Sequence, residues 1–233
     1  LNVTGKVSYT YAYQILDLVN AERAKQGLSP LSMDADLLTA AMTRAAECSV
    51  YFSHTRPNGE QCFTIHSKLA GENIAARHAG PQEAMTGWMN SPGHRGNILS
   101  AGYKSIGIGC FQVDGVWYWT QCFGADNAYT TGRPADEQRT YGIMAGAQIQ
   151  PQFAKASGEL VVGNSEQLRV YVGSTPIDAD TFIWSSSSSG VSVDAAGKIT
   201  ANSLCTATIT AENRNVRSRK VTYTVTVSNP GGT

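Results

Sequence analysis

The sequence has little charge and no long apolar run. Asp, Glu, Lys and Arg make up 15% of its 233 residues, and the formal net charge is zero, whereas about a quarter of an average globular protein is charged. Since the chain has no basic field that would attract phosphates, we expect no nucleic acid as a partner. No run of apolar residues is long enough to span a bilayer, so we expect no transmembrane segment.

Several signals that would assign a function directly are also missing. The first residues lack a positive region followed by an apolar stretch, so we expect no signal peptide in the sequence, although a chain after signal cleavage would look the same. There is no Cys-x-x-Cys pair, no Gly-x-Ser-x-Gly and no His-Glu-x-x-His. These absences weigh against a zinc knot, a serine-hydrolase elbow and a helical metalloprotease motif.

Cysteine is scarce, and most of it lies in the first half of the chain. The five cysteines are Cys48, Cys62, Cys110, Cys122 and Cys205. Four in one domain suggest two disulfides and an oxidising compartment, with three possible connectivities. A two-residue turn at Asp114-Gly115 would put Cys110 opposite Trp119 and Cys122 on the other face of the hairpin, unless a bulge shifts the register.

The first half reads as mixed helix and strand. Apolar residues at helical spacing predict a helix that ends near Gly27, and Asp34 is a suitable N-cap for a second. Pro81 suits the first turn of a third helix, which we expect Pro92 to stop after Trp88. A β-hairpin follows, with its turn at Asp114-Gly115.

The second half has a different pattern. The stretch 127–145 is polar and rich in turn residues, as is typical of a linker. From 146 onward, short alternating runs separated by turn signals predict a β-sandwich. We therefore predict an α+β domain at 1–126, a linker at 127–145 and an all-β domain at 146–233.

Three polar side chains mark a candidate site. His54, Glu72 and His94 each lie in a short segment rich in turn residues, and the chain has only four histidines. Two imidazoles and a carboxylate that converge can hold a metal ion or a small polar ligand. Alternatively, the same groups could only bind one another and hold loops in place.

The first half resembles the superfamily of cysteine-rich secretory, venom-allergen and pathogenesis-related proteins in its bacterial form. The matching segments, in chain order, are residues 15–23, 27–31, 52–54, 71–75, 88–99, 106–109 and 118–121. The resemblance implies an α-β-α sandwich with a cleft on one side, secretion, and binding of divalent metals, sterols or fatty acids, with proteolysis claimed and disputed. It also implies the disulfide Cys110–Cys122, and with it Cys48–Cys62, which leaves Cys205 as a free buried thiol.

The second half looks like a group 2 bacterial immunoglobulin-like domain. This likeness rests on residues 163–168, 184–186 and 193–201. Such domains usually serve as spacers or adhesion modules, so the pairing implies an extracellular, secreted or cell-wall-associated bacterial protein.

The resemblance also assigns the site. His54 and His94 match the two histidines of the family's cleft and Glu72 matches its first acid, whereas the second acid would fall near Asn90 or Ser91. We predict that zinc or another divalent cation binds weakly to His54, Glu72 and His94, because few ligands are present and protonated imidazole cannot ligate. Three further residues are predicted to line the cleft: Asn73, Ser91 and Gln121.

The leading hypothesis is a binding protein that presents a cleft-bearing domain on an immunoglobulin-like spacer. Its partner would be a small ligand such as a lipid or sterol, a divalent metal, or a host or cell-wall surface. One alternative is a metal-dependent hydrolase or peptidase with Glu72 as candidate base; no catalytic residue is otherwise assigned, and the sequence favours a protein that is not an enzyme. The other alternative is a structural or adhesive surface protein with no cleft chemistry.

Overall fold

A computed structural model describes residues 1–230, and these form two compact units. Val3–Gln148 is one unit, and the chain from Ile149 onward, together with Leu1–Asn2, is the other. Each unit has its own hydrophobic core. None of the helices in residues 1–230 is long and apolar enough to cross a membrane.

The Val3–Gln148 unit consists of helices packed on a six-stranded sheet. Its helices are α1 (Tyr9–Lys25), α2 (Ala35–Val50), α3 (Pro81–Asn90) and α4 (Pro92–Ile98). Its strands are β1 (Asn2–Val7), β2 (Ser32–Met33), β3 (Gly71–Ala76), β4 (Ser105–Val113), β5 (Val116–Gly124) and β6 (Glu137–Gly142). The strand order is β3-β5-β4-β1-β6, and β2 pairs with β4.

The two faces of this sheet are covered by different helices. Thr120 on β5 donates a hydrogen bond to the Ala41 carbonyl of α2, whereas the neighbouring Trp119 stacks on Tyr11 of α1. Successive strand residues point to opposite faces, so α2 covers one face and α1 covers the other. The predicted α-β-α sandwich is confirmed, and it leaves β3 as an edge strand.

The local signals for the helices act as expected, with one difference. Asp34 caps α2 through its side chain, as predicted. Ser8, for which no cap is predicted, caps α1 in the same way. Pro81 opens α3. Pro92 was expected only to stop the third helix, yet it is also the first residue of α4, because proline has no N–H to lose at the first position of a helix.

The β4–β5 hairpin has no bulge, and this decides one predicted disulfide. Its register runs without interruption to Val113↔Val116, so Cys110 pairs with Trp119 and Cys122 pairs with Gly107. The two thiols therefore lie on opposite faces of the sheet, and the expected bond Cys110–Cys122 is absent. The expected bond Cys48–Cys62 is absent too, since all five cysteines are free thiols.

The segment 127–145 contains ordered structure of the first unit, whereas its composition suggests a linker. Strand β6 pairs at the edge of the sheet beside β1. Asp136 accepts hydrogen bonds from the Ser8 hydroxyl and the Thr10 N–H, both at 2.8 Å, at the start of α1. The Tyr129 N–H donates to Asp34 at 2.8 Å. Part of this segment therefore supports the ends of two helices.

The second unit is built from short strands, as predicted. They are β7 (Gln152–Phe153), β8 (Ser157–Val161), β9 (Ser165–Gln167), β10 (Val170–Val172), β11 (Thr175–Ile177), β12 (Phe182–Ser186), β13 (Val191–Val193), β14 (Lys198–Ala201), β15 (Cys205–Asn213) and β16 (Lys220–Ser228). They form sheets of order β11-β10-β7, β12-β15-β16-β8 and β13-β14-β9. Tyr223, Ile209 and Ile199 are buried in the core between them. Cys205 is half-buried rather than buried.

Candidate functional site

Arg44 is the centre of the site, although it lies in the middle of the apolar face of α2. Its side chain is fully buried. Nε donates to Glu72 at 2.7 Å, Nη1 to Glu47 at 2.7 Å, and Nη2 to the Ser53 carbonyl at 2.7 Å. Burial alone would lower the pKa of Arg44, but its carboxylate partners raise it. The guanidinium thus remains charged and fixes both Glu72 and the segment that carries His54.

Glu72 links Arg44 to the predicted histidine. It lies on edge strand β3, and its Oε1 is 2.8 Å from Nδ1 of His54 while Oε2 faces Arg44. Burial tends to raise the pKa of Glu72, but the hydrogen bonds from His54 and Arg44 outweigh it and lower that pKa. Glu72 is therefore a carboxylate at neutral pH, ready to orient an imidazole or to bind a cation.

His54 is held by its backbone and remains open to solvent. Its carbonyl accepts the N–H of Cys62 at 2.9 Å, next to a β-bridge between Thr55 and Gln61. The side chain is 54% exposed. Because Glu72 fixes one ring nitrogen and the rest of the ring is accessible, His54 can receive a ligand from the solvent side.

His94 belongs to α4, and within residues 1–230 its ring is not in the group of potential ligand atoms that includes His54 and Glu72 and lies within 4.8 Å. Its carbonyl accepts a hydrogen bond from Asn73 at 3.0 Å, and Asn97 donates to Asn73 at 2.9 Å. Burial, and then the nearby charge of His54, lower the pKa of His94, so its imidazole is neutral at neutral pH and able to ligate. Since Glu72 and Asn73 are adjacent, β3 sends one side chain to each face and anchors both histidine segments.

The predicted cleft residues take different places. Asn73 and Gln121 are fully buried, and Asn73 donates to Gln121 Oε1 at 2.9 Å. Within residues 1–230, Gln121 Nε2 is buried without a hydrogen-bond partner. Ser91 is half-buried and precedes the first turn of α4. Asn73 thus holds α4 in place, and Gln121 is buried beside Asn73 rather than open to a ligand.

Two residues of the site, Arg44 and Cys62, are not among those predicted from the sequence. Arg44 interrupts the apolar face of α2 and has Glu47 three residues later, which is the signal that could have identified it. Cys62 lies with His54 and Glu72 in a group whose potential ligand atoms are all within 4.8 Å of one another. Burial, and next the charge and hydrogen bond of Glu72, raise the pKa of the Cys62 thiol to about 11.

The first unit matches a known family. Residues 16–123 match the model of the cysteine-rich secretory protein family, CAP. These residues form a CAP domain. Residues 152–225 match the group 2 bacterial immunoglobulin-like domain, so the CAP domain is followed by an immunoglobulin-like one, as the sequence predicts.

Individual relatives share the CAP domain. The uncharacterized protein YkwD of Bacillus subtilis is 38% identical over 115 residues, which is 46% of this chain and 45% of that relative. The chain thus spans less than half of its length. Among solved structures, an extracellular protein containing a SCP domain from Bacillus anthracis is 32% identical, with 50% of this chain and 41% of that one covered and a TM-score of 0.46.

A second solved structure is more distant. An outer surface protein from Borrelia burgdorferi is 19% identical, with 53% of this chain and 98% of that one covered and a TM-score of 0.46. The chain is thus similar to bacterial proteins that are themselves described as extracellular or as surface proteins.

Proposed function

We propose that the chain is an extracellular bacterial binding protein whose CAP domain holds a divalent metal ion with His54, Glu72 and His94. The immunoglobulin-like domain would serve as a spacer or an adhesion module. The observation that carries the proposal is the 2.8 Å contact between the exposed His54 ring and the buried Glu72 carboxylate. His94 is included because the family resemblance matches it to the second histidine of the cleft.

The donor set fits such an ion. Two imidazoles and one carboxylate are ligands that zinc accepts, and three protein ligands leave one coordination position for water or a small polar ligand. Arg44 orients Glu72 by a direct contact, and the Asn73 hydrogen bond to the His94 carbonyl holds α4. Outer contacts of this kind fix the direction of metal ligands and strengthen binding.

A hydrolase that uses Glu72 as its base has less support. Glu72 accepts hydrogen bonds from both Arg44 and His54, and these lower its pKa. A carboxylate that is stabilised in its charged form has little tendency to take up a proton at neutral pH. Its contacts therefore favour a role in orienting or binding a ligand.

Calorimetric titration with zinc tests the proposal. The chain should show a saturable heat of one-to-one binding, and the double variant His54→Ala/His94→Ala should show none. The control is His66→Ala/His78→Ala, which removes the other two histidines and should leave the heat unchanged. If the wild-type chain shows no binding heat, or if both double variants retain it, the proposal is wrong.

A further inference from the structure

Cys62 is placed as a third donor beside His54 and Glu72. Antiparallel pairing through the bridge Thr55↔Gln61 continues to the hydrogen bond between the Cys62 N–H and the His54 carbonyl. His54 and Cys62 are therefore cross-strand neighbours in a short hairpin. Their potential ligand atoms and that of Glu72 are all within 4.8 Å of one another.

The spacing suits a tetrahedral ion with a sulfur ligand. Zinc bonds of about 2.0–2.1 Å to nitrogen or oxygen and about 2.3 Å to sulfur place ligand atoms roughly 3.3–3.6 Å apart. The separations from the Cys62 sulfur are at most 4.8 Å, so they would need to shorten by at most about 1.2 Å. The His54–Glu72 contact, now 2.8 Å, would open by about half an ångström.

The surrounding charges leave one oxygen of Glu72 available. Arg44 Nε contacts Oε2 at 2.7 Å, whereas Arg44 Nη2 is 3.3 Å from Oε1. Arg44 also keeps Glu47 at 2.7 Å. Oε1 can therefore turn from the His54 ring to an ion while Arg44 keeps its contacts with Oε2 and Glu47. A buried guanidinium needs such partners.

We propose that Cys62 is a thiolate ligand of the ion, so that the site selects cations that bind sulfur, such as zinc, cobalt(II) or cadmium, over magnesium and calcium. The inference rests on the proposed function: Cys62 would take the coordination position that His54, Glu72 and His94 leave open, and a sulfur donor there names the class of cation. On binding, the Cys62 thiol releases its proton to solvent and its sulfur forms the bond to the ion. Hard cations prefer oxygen ligands and gain nothing from this sulfur.

Cobalt(II) titration followed by absorption spectroscopy tests the inference. A thiolate ligand gives a sulfur-to-cobalt charge-transfer band in the near ultraviolet, which nitrogen and oxygen ligands do not give. The wild-type chain should show this band, and Cys62→Ser should lose it and bind zinc at least about tenfold more weakly. Cys48→Ser changes a different buried thiol, which lies on α2 close to Arg44. This variant should keep both the band and the affinity.

A measurement on the unmodified chain covers the case in which Cys62→Ser does not fold. X-ray absorption at the zinc edge should show one sulfur at about 2.3 Å in addition to nitrogen or oxygen at about 2.0–2.1 Å. If the ion binds without a sulfur neighbour and without the charge-transfer band, Cys62 is not a ligand and only the proposed function stands. If no ion binds to the wild-type chain, both proposals fail.

Discussion

At the scale of single residues, the site depends on a buried charge. Arg44 is fully buried and touches both Glu72 and Glu47, and Arg56 contacts Glu47 at 2.7 Å from the more exposed side. The two carboxylates balance the two guanidinium groups. Such a network tolerates the loss of one member poorly, because the remaining charge is left buried without compensation.

Glu72→Gln is therefore expected to lower the free energy of unfolding by about 3 kcal/mol, as the loss of one partner of a buried ion pair does. Urea unfolding monitored by circular dichroism measures this. Glu60→Gln is the control, because Glu60 contacts Arg56 from an exposed position and its loss should leave the unfolding midpoint unchanged. Equal midpoints for Glu72→Gln and wild type would show that the network does not stabilise the domain.

The sequence identifies some residues of this site and not others, for a physical reason. His54 and Glu72 stand in short recognisable segments, and their contact agrees with the expected group. Arg44 and Cys62 become partners of that group only through the packing of α2 and the pairing of Thr55 with Gln61. Spacing along one element cannot show such contacts, since they arise between elements distant in the chain.

At the scale of elements, the N-terminus of α2 is fixed by Asp34. This buried carboxylate accepts hydrogen bonds from the Leu37 N–H at 2.9 Å, the Tyr129 N–H at 2.8 Å and the Lys68 ammonium at 3.1 Å. Burial tends to raise the pKa of Asp34, but these donors lower it below its ordinary value of 3.8. The stabilisation from Asp34 is thus complete above about pH 3.8 and is lost as the pH falls through the lower value of the folded state.

Asp34→Asn keeps a capping oxygen but removes the negative charge that strengthens the hydrogen bonds from Tyr129 and Lys68. It should therefore lower the unfolding free energy by about 1 kcal/mol at neutral pH, the difference between a charged and a neutral hydrogen bond. The difference from wild type should shrink as the pH falls below about 3.8, because wild-type Asp34 then becomes protonated as well. Urea unfolding across this range measures both effects. Asp17→Asn, at an exposed position of α1, is the charge-matched control. A difference that stays constant with pH would contradict the assigned role.

The contact between α2 and β4 depends on glycine. A Cβ at Gly107 would lie 2.0 Å from the backbone of Leu37, so a methyl group has no room unless helix and strand separate. Gly107→Ala should lower the unfolding free energy by roughly 2–3 kcal/mol. Gly132→Ala, where an added Cβ meets nothing within 4 Å, should not lower it. Equal thermal stability of the two variants would show that α2 does not pack this closely.

Most elements were predictable because their signals are local. The cap Asp34 and the turn Asp114-Gly115 act within a few residues, and the structure has both of them. Strand β6 was not predictable in this way, because a polar segment becomes a strand there only by pairing at the edge of an existing sheet. The expected disulfide failed for a related reason, since an uninterrupted register separates Cys110 from Cys122.

At the scale of the whole molecule, the first unit extends well beyond the match to the CAP family. That match ends at residue 123, but Tyr129, Asp136 and β6 contact the same unit. A fragment of residues 3–148 should unfold cooperatively in urea. A fragment of residues 3–126 should unfold at a lower urea concentration, because it lacks the edge strand and the Asp34 and Ser8 partners. Equal midpoints would show that 127–148 contributes nothing to the unit.

The most direct test of the whole interpretation is to locate the ion. Anomalous diffraction at the zinc absorption edge, from crystals of the full chain grown with zinc, would place it without reference to any variant. We expect one strong peak in the Val3–Gln148 unit, within about 2.0–2.2 Å of ring nitrogens of His54 and His94 and an oxygen of Glu72, and within about 2.3 Å of the sulfur of Cys62. A peak elsewhere, or crystals in which these side chains keep their contacts and no peak lies beside them, would contradict a metal site at the edge of β3.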